Sequence, residues 1–187
     1  RNPLPERSVT VLKVRTWARQ SRVTEALAWV SEQALSPADD LSYMREFEYL
    51  TLARVLITRH KIDRVEGDLI AALDLLERLL HAAEDGGRHG SVIEILILQS
   101  LAHQAQGNQP RALAALERAL ALAEPEGYLR VFADEGEPMR LLIEKWSRNR
   151  EHPLGSYANK LLSAFTQAEE TPKPAIPPQK SGMSEPL

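Results

Sequence analysis

His103-Gln104-Ala105-Gln106-Gly107-Asn108-Gln109-Pro110-Arg111-Ala112-Leu113 is the stretch on which the fold turns. Helix-forming residues run into a Gly-Asn pair, and a second helix then opens toward a small residue. Gly107 supplies the positive φ of a tight turn without steric cost. Pro110 suits the start of a helix, where its missing N–H has no intrahelical partner to lose. Beyond it Ala112, Leu116, Ala119 and Ala123 form a stripe at helical spacing, with Leu113 and Leu120 beside it. Small residues on that stripe let a neighbouring helix approach closely. The stretch therefore reads as the turn inside a helix pair.

The same pattern recurs upstream. Trp17-Ala18-Arg19-Gln20-Ser21-Arg22-Val23-Thr24-Glu25-Ala26-Leu27 is again a helix end, a polar turn and a helix opening toward an alanine. A third copy, Leu56 to Leu73, carries an apparent insertion, Lys61 to Asp68, ahead of Ala72. Ala26, Ala72 and Ala112 lie 46 and 40 residues apart. Tetratricopeptide (TPR) repeats run about 34 residues, so the expectation is helix pairs with longer linkers. Leu69, Leu73, Leu76 and Leu80 fall at i, i+4, i+7 and i+11, one apolar stripe. Ile93 to Leu98 is the longest apolar run and is read as part of an amphipathic helix. Gly86-Gly87 predicts a helix stop, and Ser91 with Glu94 predicts a capping box before Ile95-Leu96. A single pair cannot bury its apolar face, whereas stacked pairs can. The expected fold is all-α: stacked antiparallel helix pairs in a TPR-like right-handed superhelical array, with repeats over residues 7–36, 43–84 and 91–124.

After Leu122 the pattern changes. Pro125 predicts a helix from Glu126 to Asp134, broken by Gly136. Pro138 then opens a helix carrying Met139, Leu142, Ile143 and Trp146, and a last helix is expected from Ser156 to Gln167. These closing helices, 125–167, complete a repeat domain over 1–167. Residues 168–187, with Pro172, Pro174, Pro177 and Pro178, read as a Pro-rich linker.

Composition fits this picture and excludes several functions. The 187 residues are 43% hydrophobic but only 5% aromatic, a mixture that favours helices over sheets. With 23 basic and 26 acidic residues the net charge is −3, which denies the chain the broad positive field of a nucleic-acid binder. The absence of cysteine excludes disulfides and thiolate metal sites. No apolar run reaches the length of a membrane span. Together with the lack of a visible signal peptide, this leads to the expectation of a cytoplasmic protein without membrane contact.

Catalytic and metal signatures are missing too. His60, His81, His89, His103 and His152 form no i, i+4 pair, so no metal site is expected. Gly86-Gly87-Arg88-His89-Gly90-Ser91 lacks the Gly-Lys-Ser/Thr of a phosphate loop and is read as a helix stop followed by an N-cap. No nucleophile elbow or catalytic constellation occurs, so the chain is not expected to be an enzyme. A groove is the remaining functional idea. The first helix of each stacked pair lines a concave face, which makes Arg15 and Arg19, then Phe47, Leu50 and Arg54, then Glu94, Ile97, Leu101 and Gln104 the inward candidates. Arg15, Arg19 and Arg54 in convergence suit a carboxylate, a phosphate or an acidic peptide. The competing reading pairs these arginines with acids of the same chain such as Glu46 and Glu48. Trp17 and Trp29 are read as core.

These residues also carry a family resemblance. The run Ala71-Ala72-Leu73-Asp74-Leu75-Leu76-Glu77-Arg78-Leu79-Leu80, the stretch from Gly87-Arg88 to Gln106-Gly107, and Arg111 to Leu120 resemble the C-terminal repeat region of the large ATP-dependent LuxR-family bacterial transcriptional regulators of the maltose-activator type. A sharper match is Ala123-Glu124-Pro125-Glu126-Gly127-Tyr128-Leu129-Arg130-Val131-Phe132-Ala133-Asp134-Glu135-Gly136, which resembles the segment that closes the array in that family. The final Glu185-Pro186-Leu187 resembles the opening of the helix-turn-helix domain that follows the family's linker. Two features depart from the pattern: Ser21 stands where glycine is common, and the Lys61–Asp68 insertion interrupts a usually short turn.

The resemblance implies a middle piece of a longer regulator. It would bind a small-molecule inducer or a regulatory protein. ATP would belong to a nucleotide-binding module before it and DNA to a domain after it, so no cofactor is expected within these residues. A stand-alone protein–protein adaptor is the alternative. Self-association is also expected, because terminal repeats without a polar cap expose apolar faces.

Overall fold

A computed structural model describes residues 6–148 and 152–170, with side-chain surroundings for 9–148 and 152–166. The elements run in chain order: α1 (Glu6–Arg19), α2 (Val23–Glu32), α3 (Glu46–Asp63, after a 3-10 turn at Tyr43–Arg45), α4 (Glu66–Asp85), α5 (His89–Ala105), α6 (Gln109–Ala123), α7 (Arg130–Ala133), α8 (Glu137–Ser147) and α9 (Gly155–Glu170). No strand occurs among the described residues. The pairs α1–α2, α3–α4 and α5–α6 overlap the three expected repeats and overrun their bounds by one or two residues at Glu6, Asp85 and His89. First helices pack on first helices, α1 against α3 and α3 against α5, while α4 wedges against α5. The result is an all-α, TPR-like array.

Five helix ends share one backbone solution. At Gly107, Gly127, Gly87, Ser21 and Ala34 the chain enters the left-handed region, with φ of 79°, 67°, 65°, 60° and 48°. In each case that residue's N–H bonds the carbonyl three positions back and the next N–H bonds five back. The pairs are Gly107 N to Gln104 O at 3.0 Å with Asn108 N to His103 O at 2.9 Å, and Ser21 N to Ala18 O at 3.1 Å with Arg22 N to Trp17 O at 2.9 Å. Gly87, Arg88, Gly127, Tyr128, Ala34 and Leu35 repeat the arrangement. Orphan carbonyls at the helix end are satisfied in this way. Asn108 then caps α6 by accepting from Arg111 N at 3.3 Å.

The matching alanines Ala26, Ala72 and Ala112 are all 0% exposed. Trp29 is in the core, and Trp17 packs half-buried against it.

Several sequence expectations are corrected. Lys61–Asp68 is not an inserted loop. α3 continues through Asp63, Arg64 turns at φ 57°, and α4 begins at Glu66. The hydrophobic pattern faded there because Lys61 and Asp63 are polar, yet both are compatible with a helix. A fork from Arg59 to Asp68 pins the two helix ends together. α5 is not amphipathic: from Val92 to Ala102 every residue except Glu94 is buried, because α3, α4 and α6 surround it.

The capping box at Ser91 and Glu94 does not form. α5 starts three residues earlier, at His89, with Arg88 as its uncapped N-terminal neighbour. The Ser91 hydroxyl instead donates to Glu46 on α3, and Glu94 pairs with Arg15 on α1. The helix expected from Glu126 shrinks to Arg130–Ala133, because Gly127 enters a left-handed turn at φ 67°. α9 begins at Gly155 and its backbone runs to Glu170, so the expected boundary at 168 falls inside it. Residues 171–187, with the prolines of the expected linker, lie outside the described residues.

The closing helices seal the end of the stack. Phe132 and Tyr157 meet edge to face at 6.5 Å. The Trp146 indole N–H donates to Glu117 Oε2 at 3.1 Å, tying α8 to α6. Among the described residues no helix is long and apolar enough to cross a membrane.

Candidate functional site

The first helices supply one continuous face. On α3, Phe47, Thr51, Arg54 and Thr58 follow at i, i+4, i+7 and i+11, so they stack along one side. Glu94, Leu98 and Leu101 do the same on α5, and Arg15 with Arg19 on α1. α1 packs against α3, so Arg15 reaches across: its guanidinium lies 3.6 Å from the centre of the Phe47 ring, and its Nε donates to Thr51 Oγ1 at 3.0 Å.

Two arginines then share one acid. Arg15 Nη1 is 2.8 Å and Arg54 Nη2 3.0 Å from Glu94 Oε1. The far side of Arg54 meets Glu135, with Nη1 2.6 Å from Oε1. Glu135 arrives from the corner between α7 and α8, where Gly136 turns the chain at φ 68°. The side chains of Arg54 and Glu135 are only 8% and 7% exposed. Burial disfavours the Arg54 cation, but Glu135 and Glu94 outweigh burial and hold its pKa above the ordinary value. Arg15 responds oppositely. Burial dominates, and the attraction of Glu94 does not restore what the neighbouring Arg54 and desolvation take away, so its pKa falls to about 10. Arg19 and Asp134 are more open and stand 3.7 Å apart.

This network borders a cleft of about 350 Å³ between α1, α3, α5 and the α7–α8 corner. Arg15, Arg19, Arg54 and Leu101 line it, together with Ile57, Thr58, Lys61, Asp134, Glu135 and Pro138. The structure thus brings together Arg15, Arg19, Arg54, Glu94 and Leu101 from the sequence candidates. Leu50 and Ile97, at 2% and 0% exposed, belong to the core instead, because the neighbouring helices cover α3 and α5 on nearly all sides. Phe47 supports Arg15 rather than facing the cleft, and Gln104 is half-buried and outside it. The arginines do pair with acids of the chain, but not with Glu46 or Glu48. Those two serve Arg88 and Arg45.

Sequence reasoning missed Lys61, Asp134 and Glu135. Glu135 is 81 residues from Arg54, and no local signal joins them. Lys61 stands in the segment that the sequence reads as an insertion, whereas the last turns of α3 carry it to the cleft. Among the described residues no group of three or more His, Cys, Asp and Glu is arranged to hold a metal ion.

No curated protein and no solved structure gives a match to the chain. A family model does, that of the MalT-like TPR region, over residues 5–149. That span takes in the three helix pairs, the Arg15–Arg54–Glu94–Glu135 network and the closing α7 and α8, so the chain belongs to the MalT-like TPR region family.

Proposed function

We propose that this chain is the sensor and scaffold region of a LuxR-family bacterial transcriptional regulator, binding an effector in the cleft between the first helices and the α7–α8 corner. The observation that carries the reading is a family match that spans the cleft from Arg15 to Pro138. A ligand there touches all three first helices and the closing unit at once. It therefore favours whichever mutual arrangement of those parts fits it best, which is how binding is passed to a neighbouring module. In this reading the chain catalyses nothing and works in the cytoplasm. ATP is held by a module before it and DNA by a helix-turn-helix domain after it.

The test is a thermal-shift screen of the purified chain against sugars, amino acids and acidic metabolites, run in parallel on Thr58→Trp, which fills the cleft. One class should raise the melting temperature of the parent and leave the variant unmoved. A response that Thr58→Trp leaves intact counts against the cleft. In the whole gene, absence of an ATPase module upstream and a helix-turn-helix downstream counts against the regulator.

A protein partner is the second reading, with the chain acting as an adaptor. Tyr43 and Met44, 71% and 85% exposed on the 3-10 turn, favour it. No shift with any small-molecule class supports it. Self-association through α1, where Val9 and Leu12 stand 56% and 53% exposed, belongs to the same reading and is checked by light scattering.

A further inference from the structure

One cation of the cleft stands outside its ion pairs. Arg15 and Arg54 are matched by Glu94 and Glu135, and Arg19 by Asp134. Glu137, also on the rim, is engaged by Arg140. Lys61 remains, a cation with no ion-pair partner among the described residues. Its side chain is exposed overall, yet enough protein surrounds its end that desolvation holds its pKa below the ordinary lysine value, with Glu135 opposing the shift.

The Arg19–Asp134 pair is long, and both groups are more than 40% exposed, so an incoming anion can compete with Asp134 at little cost. The lining also includes the apolar Ile57, Ile62, Leu98 and Leu101.

We infer that the cleft binds a small amphipathic oxyanion, whose anionic oxygens sit between Lys61 and Arg19 and whose apolar body lies along Ile57, Ile62 and Leu101. This rests on the effector reading above and narrows it to a ligand class. A carboxylate and a phosphate ester present the same chemistry to an ammonium and a guanidinium, so the probes cover both. The ammonium of Lys61 and the loosely held guanidinium of Arg19 attract the anion, and the apolar lining discriminates against inorganic ions that cannot use it.

The test is isothermal calorimetry on the full chain with benzoate, hexanoate, phenyl phosphate and inorganic phosphate, and with the neutral benzamide, hexanol and maltose. Benzoate, hexanoate or phenyl phosphate should bind at least ten-fold more tightly than the neutral probes and than inorganic phosphate. Lys61→Met should weaken that binding at least ten-fold while keeping the melting temperature. Lys160→Met, an equal charge loss on the exposed face of α9, should leave it unchanged. If maltose or hexanol binds best and Lys61→Met has no effect, the oxyanion assignment falls while the effector reading stands. If no probe of either charge type binds, or if binding survives both Lys61→Met and Thr58→Trp, the oxyanion assignment and the cleft fall together.

Discussion

Ser21 and Ala34 occupy the same left-handed position that Gly87 and Gly107 occupy at their own helix ends. A side chain there crowds its Cβ against the following carbonyl, a strain of about 1–2 kcal/mol that glycine escapes at some cost in unfolded-state entropy. Ala34→Gly and Ser21→Gly should therefore each stabilise the chain by about 0.5–1 kcal/mol. The check is a higher urea midpoint at unchanged slope. Gly107→Ala should lose at least about 1 kcal/mol. Nothing lies within 4 Å of the added Cβ, so that loss is conformational rather than steric. Gly107 was legible because a Gly-Asn pair between helical runs demands a turn. Ser21 gives no such sign by itself, and only its alignment with Gly107 shows the shared backbone.

Between elements, Arg54 joins α3 to α5 through Glu94 and to the α7–α8 corner through Glu135. Ion pairs this buried add little net stability, but breaking one strands a charge. Arg54→Met should cost about 3–5 kcal/mol, and Arg54→Met with Glu135→Leu should recover a substantial part of it. A double-mutant cycle read by chemical denaturation gives the coupling, and independent effects would show that the corner is held by packing alone. The Tyr157 hydroxyl on α9 donates to Tyr128 O in the turn before α7. Burial pushes its pKa up to about 12, above the ordinary 10. A raised folded pKa contributes stability that is intact below pH 10 and is lost as pH climbs toward 12, on the order of 2 kcal/mol. Tyr157→Phe should be less stable than the parent at pH 8, by about 1 kcal/mol for the lost bond. It should then close the gap and overtake the parent as pH rises from 9 to 12. Arg15, with its pKa held down to about 10, gains stability over pH 10 to 12.5 and works in the opposite direction, so the difference between variant and parent is the quantity to read. The arginine side of the cleft was legible, because Arg15, Arg19, Arg54 and Glu94 follow from helical spacing and pair order. Its acidic lid was not: Glu135 reaches Arg54 only through the turn at Gly136, a tertiary event with no periodic trace.

At the scale of the whole molecule the stack is nearly one-dimensional. Each helix packs on elements one or two places along the chain, and α5 with α6 forms the most extensive interface. The repeat periodicity carried this architecture in the sequence, since each alanine that ends a turn marks the same close approach. The pattern failed where a helix is buried on all sides: α5 shows no polar face from Ile95 to Ala102, so its amphipathic reading was wrong for a reason that belongs to its neighbours. That central position has an energetic consequence. In stacked repeats, stability is a sum of local terms and nearest-neighbour interfaces, so an end unit opens without the rest. Among the described residues α1 and α2 pack only toward α3, and α1 leaves Val9 and Leu12 uncovered. α5 touches α3, α4 and α6. Native-state hydrogen exchange should therefore grade along the chain, with amides of α5 from Ile93 to Ala102 exchanging only by global unfolding. Amides of α2 should exchange through a sub-global opening of lower free energy. The slowest amides of α5 should track the denaturant-derived stability of the Arg54→Met variant, whose lost ties include one to α5 itself. Amides of α2 should be nearly indifferent to that substitution. Uniform protection from α1 to α9, falling equally everywhere in Arg54→Met, would instead mean that the charged network and the closing helices bind the stack into a single cooperative unit.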